Sequence, residues 1–197
     1  MDTGPIKLDP PRLDRGIPVM QALKERRSER EFSNRKLSRQ QLSELLWAAN
    51  GVNREDGRRT APSAQNKHLV DVYVVLQDGI YLYDPAGHQL LPLVEGDFRK
   101  DTSKQDYVCN APVNLIYVAD LDKLKDARIP APVEEEMKWA YIEAGHKAEN
   151  VYIYCASEGL GARTRMLMDK DRLGSVMRLR REQTVVSAQT VGYCEQK

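Results

Sequence analysis

Apolar residues in this chain recur first at helical spacing, then at strand spacing, then at helical spacing again, and each change of period marks an element. Ile17 to Lys24 reads as a short helix running into a cluster of arginines. Ser38-Arg39-Gln40-Gln41 is a capping box, in which a serine and a glutamine each satisfy the other's backbone N–H. It opens a helix with Leu42, Leu45, Leu46 and Ala49 on one face, stopped by Asn50-Gly51. A polar stretch, residues 53–59, leads into a turn from Pro62 to Asn66. Val70–Leu76, Ile80–Tyr83 and Gln89–Val94 then form a meander, with Asp78-Gly79 and Asp84–Gly87 as its turns. Ala111–Val118, rich in β-branched residues, is a further strand. The longest helix runs from Glu134 to Ser157. Met137, Tyr141, Ala144, Ala148, Val151 and Cys155 form an apolar seam along it, and three glutamates sit in its first turn. Thr164–Met168 reads as a short strand, Asp171–Arg178 as a short helix and Thr184–Tyr193 as a last strand.

Helices, meander, strand, long helix, strand, helix and strand in that order make an α+β fold rather than alternating βαβ units. No G-x-G-x-x-G follows a strand, so a dinucleotide domain is disfavoured. Composition narrows the classes further. The 197 residues are 41% hydrophobic and 30% charged, enough apolar side chain for one substantial core. We divide them into an N-terminal arm, residues 1–16, and a single domain, residues 17–197. The arm carries Pro5, Pro10 and Pro11 and lacks an apolar signal core. The expected location is the cytoplasm, with export of a leader-bearing precursor left open. A net charge of +1 gives no general field for nucleic acid or an anionic membrane, and no run reaches the ~18 apolar residues of a membrane span. Three scattered cysteines without a C-x-x-C spacing disfavour zinc and disulfide frameworks, and Cys109 and Cys155 read as small buried hydrophobes.

Three segments could carry chemistry. In Arg26-Arg27-Ser28-Glu29-Arg30-Glu31-Phe32, guanidinium groups gather around a hydroxyl, which suits a phosphate; the alternative is a solvated face of mixed charge. If the preceding helix continues, Arg26 and Arg30 share one of its faces. Ala61-Pro62-Ser63-Ala64-Gln65-Asn66 is small and polar; it can lie against a planar ring or serve as an ordinary turn. Ser157-Glu158-Gly159-Leu160-Gly161-Ala162 ends the long helix with a glycine cap and can bring backbone N–H groups to a ligand edge. Gly145, inside the long helix, can mark close packing against another helix, including across a subunit interface. Asp106, Glu143, His146 and Glu149 show no pairing signal and are read as structural or surface groups.

Together these segments resemble the FMN-binding nitroreductase family. An R-x-S-x-R-x-F segment stands here as Arg26 to Phe32, an APS-x-x-N loop as Ala61 to Asn66, GLG as Gly159-Leu160-Gly161, and a terminal V-G-Y pattern as Val191-Gly192-Tyr193. The likeness spans residues 17 to 194. Leu45-Leu46-Trp47-Ala48-Ala49 looks most like the branch that includes azoline-oxidising maturation enzymes, in a short version. The chain departs from the family at Met166 and Leu167, where glycine is frequent, and at Cys194, where proline is usual.

The resemblance implies a central, mostly antiparallel sheet flanked by helices, in a homodimer with two FMN sites at its interface. Arg26, Arg27, Ser28 and Arg30 would hold the FMN phosphate and ribityl chain. Pro62, Ser63, Ala64, Gln65 and Asn66 would come from the partner subunit. Leu160, Gly161, Arg165, Met166 and Leu167 would lie along the flavin near N5. The implied activity is hydride transfer from NAD(P)H through FMN to a small acceptor such as a nitroaromatic or quinone, with no catalytic side chain and no metal. The rival reading is a non-catalytic FMN-binding storage or sensor protein.

Overall fold

The computed structural model describes residues 4–103, 105 and 107–194, and Asp106 lies outside the described residues. In chain order the elements are β1 (Ile6–Lys7), α1 (Val19–Glu25), α2 (Arg39–Asn50), β2 (Val70–Val75), β3 (Gly79–Asp84), β4 (Gln89–Glu95), α3 (Tyr107–Asn110), β5 (Val113–Asp120), α4 (Val133–Ser157), β6 (Gly161–Arg165), α5 (Lys170–Val176) and β7 (Gln183–Gly192). The strands make one sheet in the order β1-β4-β3-β2-β5-β7-β6, and every neighbouring pair is antiparallel. The expected α+β architecture with a mostly antiparallel sheet is therefore the observed one.

Alternation along the central strands feeds a core on each face of the sheet. Val70, Val72 and Val74 of β2, with Val113, Leu115 and Tyr117 of β5, pack under α2 and α4. Tyr73 and Val75, with Ile116 and Val118, face Leu173 and Met177 at α5. The capping box forms at α2: Ser38 Oγ accepts from Gln41 N, and Gln41 Oε1 accepts from Ser38 N.

Several boundaries move. Pro18 caps α1, which starts at Val19. Cys109 is only half-buried, unlike the buried Cys155. The expected strand at 164–168 begins instead at Gly161, because β6 pairs from Gly161 opposite Gly192. Pairing reaches back to Gly161 because residue 161 has no side chain: a Cβ there would lie 2.7 Å from Cys194 Sγ. The arm also acquires order from its contacts. Ile6 and Lys7 pair with β4, and Arg12 donates to Glu44 Oε1 through its backbone N–H and Nε at 3.2 and 3.0 Å.

The seam of α4 faces inward. Ala144, Ala148, Val151 and Cys155 belong to the chain's own core, while Tyr141 remains 43% exposed. Gly145 points away from that core, and a Cβ on it would meet nothing within 4 Å. Between the seam residues lies a buried ion pair, Glu143–Lys147 at 2.7 Å. Glu143 also accepts from the backbone N–H groups of Leu69 and Val70, and Lys147 donates to Asn50 Oδ1 at 2.8 Å. The pair pins α4 to α2 and to the start of β2. Glu143 is thus structural, whereas His146 and Glu149 are exposed.

Candidate functional site

Helix α1 ends at Glu25, because Arg26 takes φ −55°, ψ 125° and leaves the helix. The chain then runs extended, and Ser28 bridges Ala162 of β6 in parallel, with Glu29 N donating to Ala162 O at 3.1 Å. Arg26 and Arg30 therefore do not share a helix face. Extended chain alternates its side chains, so Arg26 and Ser28 turn toward Tyr152 while Arg27 pairs with Glu29.

A cleft of about 580 Å³ opens where the end of α1, the last turns of α4 and the start of β6 meet. Arg26, Arg27, Tyr152, Leu160, Ala162 and Cys194 line it. The fold thus gathers two of the three expected segments from 130 residues apart in sequence, roughly, into one concavity. Arg30 is exposed and does not line the cleft; Ser28, also exposed, stands outside the lining, 3.1 Å from the hydroxyl of the cleft residue Tyr152; and Gly161 lies behind the cleft against Glu29 and Cys194. Glu29 holds the Arg27 guanidinium above its usual range through their hydrogen bond and opposite charge. Burial raises the thiols of Cys155 and Cys194, so both favour the protonated form at neutral pH.

Tyr152 sits at the centre of this arrangement, and sequence reasoning passed over it. Its hydroxyl accepts from Thr164 N at 2.7 Å and lies 3.1 Å from Ser28 Oγ, while the Arg26 guanidinium carbon stands 5.4 Å from its ring centroid. A signal was present: Tyr152 falls one position from Val151 and three from Cys155, on the buried face of the last turns before Gly-Leu-Gly. On β6, Arg163 Nε and Thr164 Oγ1 are buried without a hydrogen-bond partner.

The loop after Ala61 lies elsewhere. Pro62, Ser63 and Ala64 border a separate hollow of about 280 Å³ against Trp139, Ile142 and His146 of α4. Gln65, Asn66 and His68 hold left-handed backbone at φ 51°, 57° and 49°, which non-glycine residues adopt at a cost. Gln65 is fixed there by exchanging two hydrogen bonds with the backbone of Ile129. Ser63 Oγ accepts from His68 N at 3.0 Å and lies 3.3 Å from His68 Nδ1. Burial, then the charges of Arg59, Lys147 and Lys123, push His68 down to about 4, so it is neutral at pH 7. Within one chain, then, this loop and the arginine segment do not meet.

Arg165 also departs from the expected placement. It is buried in a neutral cage, donating to Thr190 Oγ1, to Thr102 Oγ1 and to Asn114 Oδ1, and burial lowers it to about 10. Met166 and Leu167 follow the end of β6 and are 54% and 66% exposed.

Comparisons with known proteins bear on the family and the fold. The chain is 31% identical over 155 residues to a candidate nitroreductase of Methanocaldococcus jannaschii, covering 74% of this chain and 76% of that protein. The crystal structure of a candidate nitroreductase from Ralstonia eutropha superimposes with a TM-score of 0.91 at 40% identity, covering 98% of this chain and 90% of that one. Two more distant structures share the fold. A candidate NAD(P)H:FMN oxidoreductase from Staphylococcus epidermidis gives a TM-score of 0.70 at 15% identity, covering 93% and 90% of the two chains. The Escherichia coli microcin synthetase complex gives 0.75 at 19%, covering 96% and 78%. The nitroreductase family profile matches residues 23–193, the span that holds the arginine segment, the loop, the long helix and the last strand, and the chain belongs to that family.

Proposed function

We propose that this protein is an FMN-dependent oxidoreductase that works as a homodimer in the cytoplasm and draws its electrons from NADH or NADPH. The observation that carries the reading is the cleft in which Arg26 and Arg27 stand beside Tyr152, Leu160 and Ala162. Its volume suits a small ligand, and its cations suit a phosphate. The residues present therefore fit FMN. Bound FMN would supply two-electron chemistry, accepting hydride from NAD(P)H and passing it to an acceptor such as a nitroaromatic or quinone.

The chain's own residues bind and orient. Arg26 and Ser28 would hold the phosphate, and Arg27 would contribute a second cation that Glu29 partly neutralises. Backbone N–H groups after β6, at Met166 and Leu167, would serve the reacting edge of the ring. Their side chains and those of Pro62 to Asn66 would cover the ring, the latter from a second copy of the chain. No side chain here must act as an acid or base.

The test is the absorption spectrum of the protein after FMN reconstitution, followed by anaerobic titration with NADH and NADPH. Flavin bands that bleach on titration, with turnover on quinone or nitroaromatic acceptors, are the expected result. A protein that stays colourless overturns the reading. Flavin-loaded protein without turnover would favour storage or sensing.

A further inference from the structure

We infer that Tyr152 is a positioning residue that sets the hydrogen-bond direction of the Ser28 hydroxyl, so that Ser28 donates to the ligand's phosphate. The inference rests on the flavin reading of the cleft above. A phenol has one proton and accepts through its oxygen. The Tyr152 oxygen already accepts from Thr164 N at 2.7 Å. Its remaining neighbour among the described residues is Ser28 Oγ at 3.1 Å. If Ser28 donated to Tyr152, the phenolic proton of this largely buried residue would have no acceptor among the described residues, which is costly. The favoured arrangement runs Thr164 N–H to Tyr152, then Tyr152 O–H to Ser28. That leaves the Ser28 proton free to point away from Tyr152, as an anion requires.

The ring of the same residue has a second task. Arg26 lies 5.4 Å from its centroid, and no carboxylate stands within ion-pair distance of Arg26 among the described residues. The aromatic face orients the guanidinium without neutralising it, where a carboxylate would compete with the phosphate. One side chain thus touches both residues that would hold the phosphate, Arg26 and Ser28, and ties them to β6 through Thr164.

The experiment compares affinities for FMN and riboflavin, which differ by the phosphate alone, in wild type, Tyr152→Phe, Ser28→Ala and the double variant. Tyr152→Phe keeps the ring and removes the hydroxyl. We expect the FMN preference over riboflavin to fall about fivefold to tenfold, the size of one lost hydrogen bond between neutral groups, here Tyr152 to Ser28. The double variant should lose no more preference than Ser28→Ala alone, since Tyr152 acts through Ser28. A preference retained in Tyr152→Phe overturns the inference, even if both ligands weaken equally, because that is the signature of a merely structural tyrosine. Additive losses in the double variant overturn it too. Should Tyr152→Phe fold poorly, Ser28→Ala at the exposed end of the relay still decides: an unchanged preference there removes the hydroxyl on which the inference depends. A wild type that binds riboflavin as tightly as FMN instead fails the phosphate-clamp reading itself.

Discussion

Among the arginines of the first segment, Arg26 faces an aromatic ring, Arg27 pairs with Glu29, and Arg30 is exposed outside the cleft. Their contributions should differ accordingly. Arg26→Ala is expected to weaken FMN by about 1.5–3 kcal/mol, since it removes a charge-assisted hydrogen bond to a dianion. Riboflavin should be affected far less, and Arg30→Ala should have the smaller effect on FMN; fluorescence titration of both ligands measures all three. His68 makes a separate prediction at the same scale. Its folded pKa of about 4 lies below the ordinary value of 6.5, so the unfolded chain takes up a proton first as pH falls. Stability is therefore expected to decline between pH 6.5 and 4, and this contribution should level off below 4. His68→Asn, which tolerates the left-handed backbone at φ 49°, should flatten that limb in thermal melts across the pH range. A limb of unchanged slope would assign the acid sensitivity to other groups.

Helix α4 is divided by function along and around its length. Its inner face holds the core and the Glu143–Lys147 pair, and its last turns present Tyr152 to the cleft. A buried ion pair is weak grounds for stability when intact, but removing one partner strands the other. Lys147→Met should therefore destabilise by about 3–5 kcal/mol in urea denaturation, although methionine suits the apolar surroundings. Replacing both, Glu143→Gln with Lys147→Met, should recover part of that loss, because no full charge then remains buried. At the other end of the scale, Ser38→Ala removes one half of the capping box of α2 and is expected to cost about 1 kcal/mol. Equal losses for the cap and the buried lysine would contradict the assignment of the pair as the pin between α2, α4 and β2.

The whole molecule leaves Tyr141 and Ile142 exposed at 43% and 57% beside Gly145, on the side of α4 away from the core. The loop from Pro62 to Ala64 borders the same stretch of helix, apart from the arginine cleft. Both observations favour a second copy docking on this face and bringing the loop to its partner's cleft. Ile142→Glu is expected to leave the monomer folded while lowering dimerisation and FMN affinity together, as read by light scattering and flavin titration. Ala144→Glu should instead unfold the chain, because Ala144 is buried in its own core. A wild-type monomer that binds FMN tightly would sink the shared-site geometry. Among the described residues no helix is long and apolar enough to cross a membrane.

Local pattern alone carried the longer helices and strands, though not β1 or α3, because periodicity, the Ser38 capping box and the Asp-Gly turn act over a few residues. It also carried the segments that make up the candidate site, since arginine clusters and small polar loops declare their chemistry by composition. Tertiary structure decided what depends on partners distant in the chain. Pairing with β7 moved the start of β6 to Gly161, and the bridge from Ser28 to Ala162 ended α1 before Arg26 could share a helix face with Arg30. Packing turned the α4 seam inward, because the sheet and α2 offered it more apolar surface than solvent did. The roles of Tyr152 and of Glu143 with Lys147 were hidden for the same reason. A phenol or an ion pair on a helix has no meaning until residues more than 70 positions away, such as Leu69 and Ser28, supply its hydrogen-bond partners.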